Sequence, residues 1–218
     1  MMTVLFVLFF AALGAAVQAQ SKDTVILRGR PQEVRVYGAR GSGDPVVVSS
    51  GDGGWVHLAP HVAEVLAAKG FFVIGFDVKT YLESFTSATS TLRPEDEPGD
   101  FRTLIAYAVI GLGLPDMNEL GWRWRDAMIY LTHGFPNEPM FSAAALAGNV
   151  APVPLAAIHS TNDEFVPLAD VERVFMAAKE PKKLWVVRAA NRRFSDNLPE
   201  FNQRLLDAIE WLKGHQPG

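Results

Sequence analysis

Two short, almost wholly apolar runs, Pro45–Ser50 (PVVVSS) and Phe71–Val78 (FFVIGFDV), constrain the fold of this chain more than any other feature. Runs of this length, bounded by turn residues, suit strands buried on both faces of a parallel sheet. Between them lie Gly51-Asp52-Gly53-Gly54 and a helical repeat from Leu58 to Lys69, with Val62, Val65 and Leu66 on one stripe and Gly70 as its stop. The same alternation continues along the chain. Pro154–Ser160 and Leu184–Arg188 read as strands separated by a helix from Leu168 to Lys179, and a last amphipathic helix covers Glu200 to Lys213.

Upstream, Thr24–Leu27 and Glu33–Tyr37 have strand character, with Arg30–Pro31 between them as a turn signal. Asp100 is placed to cap a helix running through Leu104 to Ala108, which abuts an apolar run, Val109–Leu114. Strand–helix alternation at this rhythm predicts an α/β fold with a mostly parallel sheet of about seven strands flanked by helices. Nothing divides residues 21–218, so one domain is expected, with 115–152 as a lid-like insertion.

Composition narrows the function. The 218 residues carry 20 Lys+Arg against 24 Asp+Glu, a formal net charge of −4, and show no basic face of the kind a nucleic-acid binder needs. Cysteine is absent, which excludes disulfides, thiolate metal sites and cysteine nucleophiles. Met1 to Gln20 holds no charged residue and an apolar run from Val4 to about Val17. This is short for a membrane span and fits a secretory signal peptide over residues 1–20, with Val17 and Ala19 at the small-residue cleavage positions. A secreted or periplasmic location follows as an expectation.

In open α/β sheets ligands sit beyond the C-terminal ends of the strands, so three loops matter most. The first is Ser50-Gly51-Asp52-Gly53-Gly54-Trp55, whose glycines let the backbone turn sharply and present amides to a ligand. The second, His159-Ser160-Thr161-Asn162-Asp163-Glu164-Phe165-Val166-Pro167, offers the Asp163 carboxylate directly after a strand. The third, Asn191-Arg192-Arg193-Phe194, lies between the last strand and the last helix.

Together these loops resemble the α/β-hydrolase superfamily, and Ser50-Gly51-Asp52-Gly53-Gly54-Trp55 in particular resembles the exported bacterial virulence protein VirJ / AcvB group. The resemblance implies a serine hydrolase of the cell envelope acting on esters or lipids, aminoacylated phospholipid among them. It implies that Gly51, Asp52, Gly53, Gly54 and Trp55 form an oxyanion loop and that Asp163 is the triad acid. No cofactor or metal is implied. A lipid or small ester is the implied ligand, a membrane surface is an open partner class, and the oligomeric state is undetermined.

The chain departs from that pattern twice. It has no Gly-x-Ser-x-Gly, and its nearest string, Gly41-Ser42-Gly43, lies before the strand rather than after one. In the family a strand, the serine elbow and a helix precede the stretch matching Val109–Leu114, whereas here Ala108 runs straight into Val109. One strand–turn–helix unit, roughly 30–40 residues, is therefore expected to be missing. In the third loop Arg192 stands where the family-like string Asp-His-Arg-Phe has its histidine. A guanidinium does not release its proton near neutral pH, so it cannot act as the base.

Other residues offer parts of the chemistry. Ser160 sits at a strand end near the expected site, but its neighbour His159 points to the opposite face of a strand. Asp116 has no glycine elbow after it to serve as a carboxylate nucleophile. His57 and His61 have the i, i+4 spacing of a zinc pair without a third ligand in sight. Trp122, Trp124 and His133, in the lid-like insertion, are expected to line a substrate pocket with Ser160. If the second and third loops lie close, Arg192 is positioned to pair with Asp163. Two functions remain: a hydrolase of the VirJ type impaired by its missing elbow and base, or a non-catalytic descendant that binds a lipid or protein.

Overall fold

The computed structural model describes residues 21–41, 43–51, 53–87, 96–110 and 147–215. The chain opens with an antiparallel hairpin of β1 (Ser21–Leu27) and β2 (Arg30–Tyr37). Its turn is Arg28–Gly29, both with positive φ (46° and 79°), the backbone a two-residue hairpin favours. The Arg30–Pro31 pair predicted to turn is instead the start of β2. Pro31 is tolerated there because β2 pairs with its other neighbour only from Val34 onward, so its missing N–H interrupts no bond on that side.

Next come β3 (Pro45–Ser49), α1 (Leu58–Ala68) and β4 (Phe72–Phe76), the predicted crossover unit, with β3 and β4 parallel. All five residues of β4 are buried. The four strands form one sheet in the order β1-β2-β4-β3. Phe72, Ile74 and Phe76 face a cluster shared with the hairpin, α2 (Val78–Phe85) and Phe101 and Leu104 of α3 (Glu97–Ile110). Val73 faces the opposite cluster, shared with Ala63 and Leu66 of α1 and Leu205 and Ile209 of the last helix. Alternation along one strand thus places helices on both sides of the sheet.

The second half contributes β5 (Leu155–Ser160), α4 (Leu168–Ala177), β6 (Lys182–Val187) and α5 (Leu198–Gly214), with β5 and β6 a parallel pair. Val62 of α1 and Leu205 of α5 belong both to the cluster on β3–β4 and to the one around Val187, Phe194 and Phe201. One helical layer therefore lies under both sheets.

Among the described residues there are six strands in two sheets, against the seven expected. Val109 and Ile110 do not open a strand. They prolong α3, because extending an existing helix adds a hydrogen bond for each residue fixed, whereas a new strand needs a partner edge. Residues 111–114 of that expected strand lie outside the described residues. Asp100 is likewise not the cap of α3. The helix begins at Glu97, and Asp100 is buried within it. Asp96, just ahead of the helix, forms an ion pair with Arg28.

Candidate functional site

The C-terminal ends of β3, β4, β5 and β6 carry the loops on which any site must be built. After β3, Ser50 is buried, and its Oγ donates to Gly51 O (3.0 Å) while accepting from Val78 N (3.0 Å) at the start of α2. The glycines close a tight turn in which Gly54 N donates to Gly51 O at 3.0 Å. Gly54 has φ 85°, a conformation a side chain would strain. Trp55 N donates to Asp77 Oδ2 (3.2 Å), and Val56 N donates to Gly54 O (2.8 Å). Three amides of the loop, those of Gly54, Trp55 and Val56, are therefore taken up by internal acceptors. Asp52 lies outside the described residues.

The Trp55 ring packs against the sheet at Gly75 of β4, where a Cβ would meet the ring at 2.4 Å, and its Nε1–H donates to Tyr37 Oη at 3.3 Å. Glycine at position 75 is what admits an indole there. The loop is thus fastened twice at Trp55, by the ring on β4 and by the amide on Asp77, which also caps α2 through Thr80 N (3.3 Å). Asp77 is the residue that reading the sequence missed. An aspartate followed by Val78, Tyr81, Leu82 and Phe85 at helical spacing was the available signal.

After β5, Ser160 is fully buried and ties two strand ends together. Its Oγ donates to Ala189 O (3.4 Å) and accepts from Asn162 N (3.2 Å). His159 is also buried, on the opposite face of β5, and among the described residues its Nε2 has no hydrogen-bond partner. The Asp163 carboxylate turns inward on its own loop, where Oδ1 accepts from Phe165 N and Val166 N, both at 2.9 Å.

After β6, the Arg192 loop does come against the Asp163 loop, but the partner is Glu164, not Asp163. Arg192 N donates to Glu164 Oε2 at 3.1 Å, Arg192 Nε lies 3.9 Å from Glu164 Oε1, and the guanidinium sits 4.2 Å over the Phe165 ring. The pair falls on Glu164 because Asp163 is one atom shorter and already turned onto the amides of its own turn. Those contacts, the Arg192 amide first, hold the Glu164 carboxyl below the usual glutamate range.

His61 Nε2–H donates to Asn202 Oδ1 at 2.7 Å and so ties α1 to α5. Among the described residues no three metal-ligating side chains gather. Trp122, Trp124, His133 and Asp116 lie outside the described residues. The structure therefore brings Asp163, Glu164, Arg192 and Ser160 to one pair of neighbouring strand ends, and Gly51, Gly53, Gly54 and Trp55 to the other pair.

The family model of the bacterial virulence protein VirJ matches residues 44–108, from the start of β3 into α3. The match ends at Ala108, inside α3. No curated protein matches the chain. Among solved structures, a candidate dienelactone hydrolase from Klebsiella pneumoniae aligns with TM-score 0.65 and 13% identity over 88% of this chain and 98% of its own. Est1E from Butyrivibrio proteoclasticus aligns at 0.63 and 11%, covering 88% and 99% of the two chains. An alpha-beta serine hydrolase homologue from Coxiella burnetii aligns at 0.59 and 15%, covering 86% and 96%. The chain has the α/β-hydrolase fold and resembles the VirJ family.

Proposed function

We propose that the chain is an exported α/β-hydrolase-like protein of the VirJ type whose ester- and lipid-hydrolysing chemistry is impaired. The supporting observation is Arg192, which occupies the base loop and is engaged by Glu164, while Asp163 is turned onto the amides of its own turn. In a Ser–His–Asp relay the acid orients the histidine and the histidine takes the serine proton. Here the acid has no imidazole to orient in the 188–197 loop. What a hydrolase keeps without its triad is binding and oxyanion donors, a residual ~10³–10⁴-fold over water.

The missing base carries the second reading, a protein of the envelope that binds a lipid or small ester without turning it over. A lost elbow alone would not also replace the histidine. Both readings are tested by labelling the chain from residue 21 with a fluorophosphonate and mapping adducts by mass spectrometry. The control carries a restored elbow unit and Arg192→His. No adduct on the folded chain beside a labelled control supports the binder; an adduct on one residue, Ser160 for example, restores the enzyme. Export is tested by N-terminal sequencing of the protein from an envelope fraction, where a start near Gln20 is expected.

A further inference from the structure

We propose that Arg192 is an anion-recognition residue, and that the strand ends of β5 and β6 bind a ligand through a singly charged carboxylate or phosphodiester. This rests on the reading of the site as one that binds rather than hydrolyses. The guanidinium is held on two sides. Phe165 lies 4.2 Å beneath its plane, and Glu164 fixes both the backbone amide (3.1 Å) and the Nε edge (3.9 Å). Among the described residues its two terminal nitrogens have no hydrogen-bond or ion-pair partner, and about a third of the side chain (35%) reaches solvent. A planar fork packed on an aromatic ring, with its two terminal donors unpaired and the side chain partly exposed, matches the two oxygens of a carboxylate or phosphate.

The neighbouring charges select the ligand's own charge. Arg188 and Arg193 are exposed on the same segment, and among the described residues neither side chain has an ion pair. Asp163, Glu164 and Asp196 stand against them in the two loops, so the local total is close to neutral. The two carboxylates of the 161–167 loop repel any anion in proportion to its charge, so the one guanidinium fork holds a monoanion better than a dianion. The position that served a proton-transferring base in a hydrolase is thereby converted into a holding contact at the same strand end.

The test is titration of the chain from residue 21 with two probes, octanoate for a free carboxylate and phosphatidylglycerol vesicles for a phosphodiester, with phosphatidylcholine vesicles as the neutral reference. Saturable binding of octanoate or of the phosphatidylglycerol vesicles is expected, weakened at least about tenfold by Arg192→Gln and largely also by Arg192→Lys, which keeps the charge but loses the fork. Arg173→Gln, on α4 and paired with Asp170, should change nothing. Octanoate binding alone assigns a free carboxylate ligand, and vesicle binding alone a phospholipid headgroup. Equal binding by wild type and Arg192→Gln, or no binding of either probe, overturns the proposal. A fluorophosphonate adduct would instead overturn the reading of impaired chemistry, leaving the titration result to stand by itself.

Discussion

Arg192 and Glu164 meet twice, once through the arginine's backbone amide at 3.1 Å and once through its Nε at 3.9 Å, so that two loops following different strands are clasped over the Phe165 ring. The contact fixes the third loop of the site without using Asp163, whose carboxylate shapes its own turn. The 161–167 and 188–197 loops are thereby joined through Glu164 and Arg192, with no imidazole in either.

The clasp should loosen in acid. Glu164 has a folded-state pKa held below the usual 4.5, chiefly by the Arg192 amide. A depressed carboxyl contributes its stabilisation fully above the unfolded value and loses it as pH falls through the folded one. Because the group is exposed, the readout is local. Hydrogen exchange of the Arg192 amide should be slow near neutrality and accelerate, relative to the intrinsic rate, below about pH 4.5. Glu164→Gln should flatten that dependence. An unchanged profile in the variant would mean that the carboxylate does not hold the loop.

The hairpin and α3 are joined by a second pair, buried on its carboxylate side. Arg28 Nε and Nη2 reach both oxygens of Asp100 at 2.8–3.1 Å, Tyr81 Oη–H donates to the same carboxylate at 2.6 Å, and Phe85 lies 3.7 Å under the guanidinium. The Asp100 side chain is only 4% exposed against 33% for Arg28, so removing the two partners has unequal consequences. Arg28→Met, which strands a buried carboxylate, should cost about 3 kcal/mol, and Asp100→Asn, which leaves a half-solvated guanidinium, about 1 kcal/mol. Urea unfolding of the two variants measures the difference, and equal costs would refute the asymmetry.

How much of this was legible in the sequence depends on the range of the interaction. The buried strand Phe72–Phe76 and the helices α1, α4 and α5 follow from apolar periodicity, a local property. Helix α2 was readable but overrun, because the apolar run FFVIGFDV continues past the strand and conceals Asp77 as a cap. The Arg28–Asp100 and Arg192–Glu164 pairs were not readable at all. They join residues 72 and 28 positions apart, and only the fold decides which carboxylate an arginine meets. At the site, Asp163 was found by its place after a strand, whereas its actual partners are amides two and three residues on. Arg192's position was legible and its partner was not.

Gly75 is the condition for the Trp55 anchor. A Cβ there would fall 2.4 and 2.5 Å from two ring carbons, and a rigid indole has no flexible end to move away. Gly75→Ala should therefore destabilise the fold by about 1–3 kcal/mol, as overpacking does, and move Trp55 toward water. Trp185 and Trp211 pack edge-on elsewhere and should not respond. A red shift in emission from the variant, absent when Trp55→Phe is also present, is the expected signature. Wild-type stability and emission in Gly75→Ala would show that the ring is not seated on β4.

The last prediction concerns the exchange of hydrogen bonds between the first loop and the β4–α2 junction. Ser50 Oγ accepts from Val78 N, and Asp77 Oδ2 accepts from Trp55 N, so each strand end holds an amide of the other. Ser50→Ala leaves the buried Val78 amide unpaired, and Asp77→Ala frees both Trp55 N and the α2 amide of Thr80. Each should cost about 1–2 kcal/mol. Because both latches fasten one loop, the double variant should cost less than the sum of the single ones. Amide exchange separates this from general loosening: Trp55 should lose protection in Asp77→Ala while Ile74, in the middle of β4, keeps it. Strict additivity, with Trp55 protection unchanged, would mean that the loop is held by its indole alone.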